Sequence, residues 1–162
     1  MNVFEYAFTT LAGAPLHLRR FQGQPLLLVN TASQCEHTKQ YAKLESLWDD
    51  YRASGLTVLA LPSDDFGHQE PDDEATIADF LDKEFNIRFP VAAKQSVMGR
   101  NAHPLFRALR EEYGDHVTPR WNFHKYLFNR AGEMVGHWAP RVEPDDPLIT
   151  HQIERNLHSW IL

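Results

Sequence analysis

The sequence predicts an α/β fold: a central mixed sheet flanked by helices on both faces, with an N-terminal β-hairpin. Three observations carry that expectation. Two short apolar runs, Leu26 to Val29 and Leu56 to Leu61, read as fully buried strands. Apolar residues recur at helical spacing in the segments between and beyond those runs. The end of the chain then changes pattern, with a hairpin followed by a helix. Buried apolar strands joined by helices of this length favour a sheet covered on both sides.

The elements follow in order. Phe4, Tyr6 and Phe8 alternate, as do Leu16 and Leu18, with Gly13, Ala14 and Pro15 between them, which predicts a hairpin half-buried on each arm. After the first buried strand, Thr38 is a candidate N-cap for a helix carrying Tyr41, Leu44, Leu47, Trp48 and Tyr51, closed by Gly55. The second buried strand stops at Pro62. Asp73 can cap a helix burying Ile77, Phe80, Leu81 and Phe85, and Asn86 suits its end. Phe89 to Val97 reads as extended. Pro104 fits the first turn of a short helix with Leu105, Phe106 and Leu109 inward, and His103 before it suits a capping role. Phe123 to Phe128 and Met134 to Trp138 flank Asn129-Arg130-Ala131-Gly132, with glycine where positive φ is wanted. Asp146-Pro147 opens a last helix through Ile149, Ile153 and Leu157. A thioredoxin-like βαβ…ββα arrangement accommodates this order, as one of several α/β options that periodicity leaves open.

Bulk properties narrow the function. A chain of 162 residues, 43% apolar and 23% charged, suits one domain spanning residues 1–162. A net charge of −6 and the lack of any Lys/Arg run argue against a nucleic-acid partner. No apolar run approaches the roughly 20 residues of a membrane span. Met1 to Thr10 lacks the features of a signal peptide, and one cysteine cannot staple a secreted domain, so the expected location is cytoplasmic. Nine histidines show no HExxH spacing and no Cys/His cluster, so no metal is expected. Nucleotide and flavin signatures are absent, and no bound cofactor is expected.

The single cysteine, Cys35, follows a buried strand and precedes the proposed helix cap. A thiol there faces the positive end of a helix, whose free N–H groups and dipole favour the reactive thiolate. Free cysteines are commonly small core residues, so the position alone leaves both readings open. The end of a strand in an α/β sheet is, however, where ligand sites gather.

Three further segments add weight. Val29-Asn30-Thr31-Ala32-Ser33-Gln34-Cys35-Glu36-His37-Thr38, with Tyr41 following, resembles the peroxidatic-cysteine segment of the glutathione peroxidase family. Phe66-Gly67-His68-Gln69-Glu70-Pro71 resembles that family's second signature, and Trp121-Asn122-Phe123 its third. Phe89-Pro90, Lys94 and Asn101-Ala102-His103-Pro104-Leu105 match in order and spacing, so the resemblance runs from about Phe4 to Leu157. It implies a thioredoxin-like fold, Cys35 as nucleophile, and Gln69, Trp121 and Asn122 around its sulfur. Gln and Asn amides and the indole N–H are donors that do not titrate. Such donors suit a thiolate and the oxygen leaving a cleaved O–O bond.

The resemblance implies a thiol-dependent peroxidase acting on H₂O₂ or organic hydroperoxides. Relatives often carry a resolving cysteine where Leu81 stands, and another where Ser63 stands. With Cys35 alone, no internal disulfide can form, so an external thiol, glutathione or a thioredoxin, must regenerate it. Glu36 and His37 replace the usual glycine and apolar residue after the cysteine, and Asp64 and His68 replace Asn and Gly. These are expected as solvated rim side chains, and an anionic rim would repel glutathione. A peroxide sensor or redox relay with little turnover is the alternative, and an inert thioredoxin-like scaffold a third. The short Tyr113–Arg120 segment suggests a monomer.

Overall fold

A computed structural model describes residues 1–158. The chain opens with a 3₁₀ turn at Val3–Glu5, then β1 (Ala7–Thr9) pairs antiparallel with β2 (Pro15–His17). Phe8 and Leu16 face each other across this hairpin and are buried, while their neighbours are exposed. The hairpin is shorter than expected. Phe4 belongs to the opening 3₁₀ turn and Leu18 to a second one, yet both are buried.

The main sheet holds β3 (Leu26–Thr31), β4 (Thr57–Pro62), β5 (Lys125–Phe128) and β6 (Met134–Trp138), in the order β4-β3-β5-β6. β3 runs parallel to β4 and antiparallel to β5, and β5 runs antiparallel to β6, so the sheet is mixed. All six residues of β3 and of β4 are buried. Their side chains alternate between two cores. Leu26, Leu28, Leu59, Leu61, Tyr126 and Phe128 face the hairpin and α3 (Pro104–Tyr113). Leu27, Val29, Val58, Ala60 and Leu127 face α1 (Gln40–Tyr51), α2 (Glu74–Phe80) and α4 (Pro147–His158). Each fully buried leucine stabilises this sandwich by roughly 1.5–3 kcal/mol relative to exposure.

Several terminators behave as their chemistry predicts. Asp73 accepts from Thr76 N–H at 2.9 Å to cap α2, and His103 Nδ1 accepts from Leu105 N–H at 3.1 Å to cap α3. Asp146 Oδ1 accepts from Leu148 N–H at the start of α4. Asn86 sits at φ 51° after the wider π turn Leu81–Phe85. Gly132 sits at φ +86° in the β5–β6 turn, where a side chain would collide with Asn2 and Phe4. Phe89 to Val97 forms no strand. Pro90 has no N–H for a ladder, and the segment makes only isolated bridges, Val91 to Ala60 and Ala92 to Thr10.

The topology decides where chemistry can gather. Because β4 is parallel to β3, its carboxyl end, Pro62, lies beside Thr31, and the 63–72 loop emerges there. Because β5 is antiparallel, its amino end, Lys125, lies beside Val29, so the residues just before it arrive at the same place. Three loops therefore meet at one end of the sheet.

Candidate active site

The first loop carries Cys35. The predicted N-cap, Thr38, does not cap α1; its hydroxyl accepts from Cys35 N–H at 2.9 Å and donates to Ala32 carbonyl at 2.8 Å. α1 starts at Gln40 without a side-chain cap. Its first donors are instead taken by i→i−3 turns that begin at Cys35, with Thr38 N–H on Cys35 carbonyl and Gln40 N–H on His37 carbonyl. Cys35 thus opens the turns that lead into α1, and its Sγ accepts from His37 N–H at 3.2 Å. Cys35 is partly exposed and touches the α1-side core, so it can meet a substrate.

The second and third loops bring the donors. Gln34 N–H donates to Gln69 carbonyl at 3.0 Å, which joins the residue before Cys35 to the predicted donor residue. Asn122 Nδ2 donates to Gln69 Oε1 at 3.0 Å and to Phe66 carbonyl at 3.3 Å. That bond occupies the acceptor end of the Gln69 amide and leaves its NH₂ end available. Trp121 packs on Phe66, with ring centroids 5.5 Å apart, and lies against Gly67, where a Cβ would be 3.0 Å from the indole. Asn30 secures this segment from β3: its Nδ2 donates to Trp121 carbonyl at 2.9 Å, and its own carbonyl accepts from Phe123 N–H.

The backbone is bent to achieve this. Phe123 has φ 70°, and Gly67 and His68 have φ 69° and 51°. A non-glycine residue in that left-handed region costs about 1–3 kcal/mol, which clusters at functional sites where surroundings enforce it. Gln69, Trp121 and Asn122 are thus drawn together with the Cys35 loop. Among the described residues, none of the three donates to the sulfur itself; its one hydrogen bond is from His37 N–H.

The rim is more varied than expected. Glu36 is 80% exposed, as predicted, and lies 3.7 Å from His37, which is largely covered. His68 is 89% exposed. Asp64 is not simply solvated: it accepts from Glu70 N–H at 2.9 Å and lies 3.1 Å from His68 Nδ1. Burial works against its charge, but those two hydrogen bonds hold the carboxyl below its usual range.

Three buried ionisable groups escaped the sequence reading. Glu70 is fully buried, with Oε1 accepting from Ser33 N–H at 3.2 Å, and burial pushes its carboxyl up to about 7. Lys125 is fully buried and donates to Pro140 carbonyl at 2.7 Å; burial pushes it down to about 7. Gln40 Nε2 donates to the same carbonyl at 2.8 Å. His124 Nε2 and His137 Nδ1 are 3.1 Å apart, and burial, then the His137 charge, push His124 down to about 3. Period-two alternation would have flagged Lys125, which falls between Phe123 and Leu127 on an inward face. No comparable signal marks Glu70, which sits in a Gly/Pro loop of ordinary surface composition. Among the described residues, no cluster of His, Cys, Asp and Glu could hold a metal ion, and no helix is long and apolar enough to cross a membrane.

Comparison with known proteins agrees with this architecture. Residues 3–110 match the family model for glutathione peroxidase. The chain is 37% identical over 149 residues to a glutathione peroxidase homolog of Bacillus subtilis, covering 90% of this chain and 93% of the relative. It is also 37% identical to a hydroperoxy fatty acid reductase of Synechocystis, with 96% of each chain covered. The crystal structure of a T. cruzi glutathione peroxidase superposes with a TM-score of 0.76 at 29% identity, covering 97% of both chains. A thiol:disulfide interchange protein from Chlorobium tepidum, 19% identical with a TM-score of 0.68 over 96% of this chain and 95% of its own, shares the thioredoxin-like fold. A lone cysteine in the loop between a buried strand and α1, met by two further loops at one end of a thioredoxin-like sheet, thus has its place: the chain belongs to the glutathione peroxidase family and reduces peroxides at the expense of a thiol.

Proposed function

We propose that Cys35 is the peroxidatic nucleophile and that Gln69, Trp121 and Asn122 serve it as non-titrating donors. The observation that carries this is the pair of bonds from Gln34 and Asn122 onto Gln69, which ties both donor loops to the cysteine loop. The Cys35 thiolate attacks the distal oxygen of the hydroperoxide, the O–O bond breaks, and the departing oxygen takes a proton and leaves as water or alcohol. The cysteine is left as a sulfenic acid. The free NH₂ of Gln69 and the indole N–H of Trp121 face no protein acceptor among the described residues. They suit the negative charge that develops on the leaving oxygen.

Regeneration follows from the composition. Cys35 has no second cysteine in this sequence to condense with, so the first reducing thiol is external. That thiol displaces water from the sulfenic acid to form a mixed disulfide, and a second thiol releases Cys35. Glutathione and a thioredoxin are the two candidates. The exposed Glu36 carboxylate beside Cys35 disfavours an anionic thiol, and so favours the thioredoxin. A monomer in the cytoplasm fits the short 113–120 segment and the lone unpaired cysteine.

H₂O₂ and organic hydroperoxides are both candidate substrates, and a Synechocystis relative is named for reducing hydroperoxy fatty acids.

The test is single-turnover oxidation of purified protein by H₂O₂ and by a fatty acid hydroperoxide, with mass spectrometry of Cys35, then addition of glutathione or thioredoxin. Rapid sulfenic acid formation and recovery of the thiol on adding a reductant is the expected result. A Cys35 that oxidises no faster than free cysteine would overturn the assignment. Stalling after one equivalent with either thiol present would instead favour a sensor.

A further inference from the structure

The contact between the cysteine loop and the Gln69 loop has two rungs. Gln34 N–H meets Gln69 carbonyl at 3.0 Å, and Ser33 N–H meets Glu70 Oε1 at 3.2 Å. Glu70 is the anchor of this ladder. Its N–H is held by Asp64 Oδ1 at 2.9 Å, its carbonyl by Lys94 Nζ at 3.1 Å, and its side chain is fully buried. Lys94 also donates to Asp72 carbonyl at 2.9 Å, so the whole 64–72 loop is pinned around this carboxyl.

The other carboxyl oxygen, Oε2, is buried without a partner among the described residues. Ser33 Oγ, Thr31 Oγ1 and Tyr41 OH are buried behind the same loop, with the Ser33 side chain against Glu70 and that of Thr31 against Tyr41. Buried polar atoms are costly unless paired. Each hydroxyl has one proton to give to a neighbouring oxygen or to the ionised carboxylate, and a protonated carboxyl becomes a donor itself. Tyr41 connects this pocket to the sulfur. Burial pushes its phenol up, and the charges of Glu70 and of Cys35 both add to that rise.

We propose that Glu70 is a positioning residue for the peroxidase reaction, clamping Ser33 and Gln34 so that Cys35 meets Gln69, and that its ionisation sets the clamp. The proposal rests on Cys35 being the attacking thiol. Ionised, the carboxylate grips Ser33 N–H with a charge-assisted bond and places a negative charge behind the thiolate. Protonated, it loses that charge and its O–H becomes a donor to a single neighbouring oxygen. The groups facing it are Ser33 and Thr31 from the cysteine loop and β3, Tyr41 from α1, and Lys94 and Asp72 from the flanking loops; Lys94 favours its charge and Asp72 opposes it. Burial brings its titration to about 7.

Two variants separate the geometric from the titrating role. Glu70→Gln keeps the shape and an acceptor for Ser33 but cannot ionise. Glu70→Ala removes the rung. The rate of Cys35 oxidation by H₂O₂ and the rate of its alkylation by iodoacetamide are measured from pH 5 to 9. For the wild type, both profiles should show an inflection near 7 besides that of the thiol. Glu70→Gln should lose it. Glu70→Ala should slow oxidation by about 10–100-fold while slowing alkylation far less, since misplacing a reacting group by an ångström can cost that much. Circular dichroism and thermal melting check that each variant folds. An inflection retained in Glu70→Gln, or oxidation of a folded Glu70→Ala within twofold of wild type, would overturn the proposal. Alkylation does not require peroxidase activity, so an inert Cys35 would be recognised separately from an uninvolved Glu70.

Discussion

The Asn122 side chain does two jobs with one amide: its NH₂ end holds Gln69 Oε1 and the Phe66 carbonyl, and its own Oδ1 remains buried and unpaired. Asn122→Ala should free the Gln69 amide to rotate. We expect oxidation of Cys35 to slow by about 10–100-fold, the range of losing one aimed donor, in a stopped-flow measurement. Wild-type rates in that variant would remove Asn122 from the site. Trp121→Phe is a second probe: it keeps an aromatic ring beside Phe66 and removes the indole N–H together with the ring carbons that lie against Gly67. Its oxidation rate should fall by about tenfold or more, with a thermal melt to check that the variant is folded. The four proposed site residues were legible as candidates from their motifs. Their linkage was not, because the bond from Asn122 to Gln69 spans 53 positions and no local spacing encodes it.

At the level of elements, the caps are the informative parts. His103 acts on two neighbours at once: Nδ1 accepts from Leu105 N–H, Nε2 lies 2.7 Å from the Ala7 carbonyl, and its ring stacks on Phe8 at 4.0 Å. This requires the neutral ring, and burial lowers its affinity for a proton accordingly. Replacing the cap, as in His103→Ala, should cost about 1 kcal/mol. In a chain of this size that lowers the melting temperature by roughly 2–4 °C, with peroxidase rates unchanged. Caps such as Asp73, His103 and Asp146 were readable because each acts within three residues of itself. Thr38 misled because a hydroxyl can bond backward as readily as forward. Here it closes the 32–38 turn, and α1 begins without a side-chain cap. β5 begins at Lys125 rather than Phe123 because Asn30 seizes Phe123 N–H and holds that residue at positive φ.

For the whole molecule, the buried titrating groups set how stability responds to pH. Folding pushes His124 down to about 3, whereas the unfolded chain keeps the ordinary value near 6.5. As pH falls below 6.5, the unfolded state takes up a proton that the folded state refuses, so stability is lost progressively toward pH 3. Thermal melts between pH 7 and 4 should therefore fall less steeply for His124→Gln than for the wild type. Equal slopes would show that another group governs acid unfolding. A sheet covered on both faces was foreshadowed by the apolar runs, which left the strand order open. The buried charges were not, because composition cannot tell a solvated glutamate from one closed in by two loops.

The order of strands has one more consequence, which concerns time. β3 and β4 lie within the first 62 residues and are parallel neighbours, but the partner on the other side of β3 begins only at Lys125. As the chain is made, Cys35 therefore emerges long before Trp121 and Asn122, and distant pairings of this kind form slowly. Until β5 docks, Asn122 is not in place to hold the Gln69 amide and Trp121 is not packed on Phe66. Reactivity toward peroxide becomes a report of completed folding. On refolding from denaturant, fast peroxide reactivity should return with the phase that buries Tyr126, and not with the earlier formation of helix.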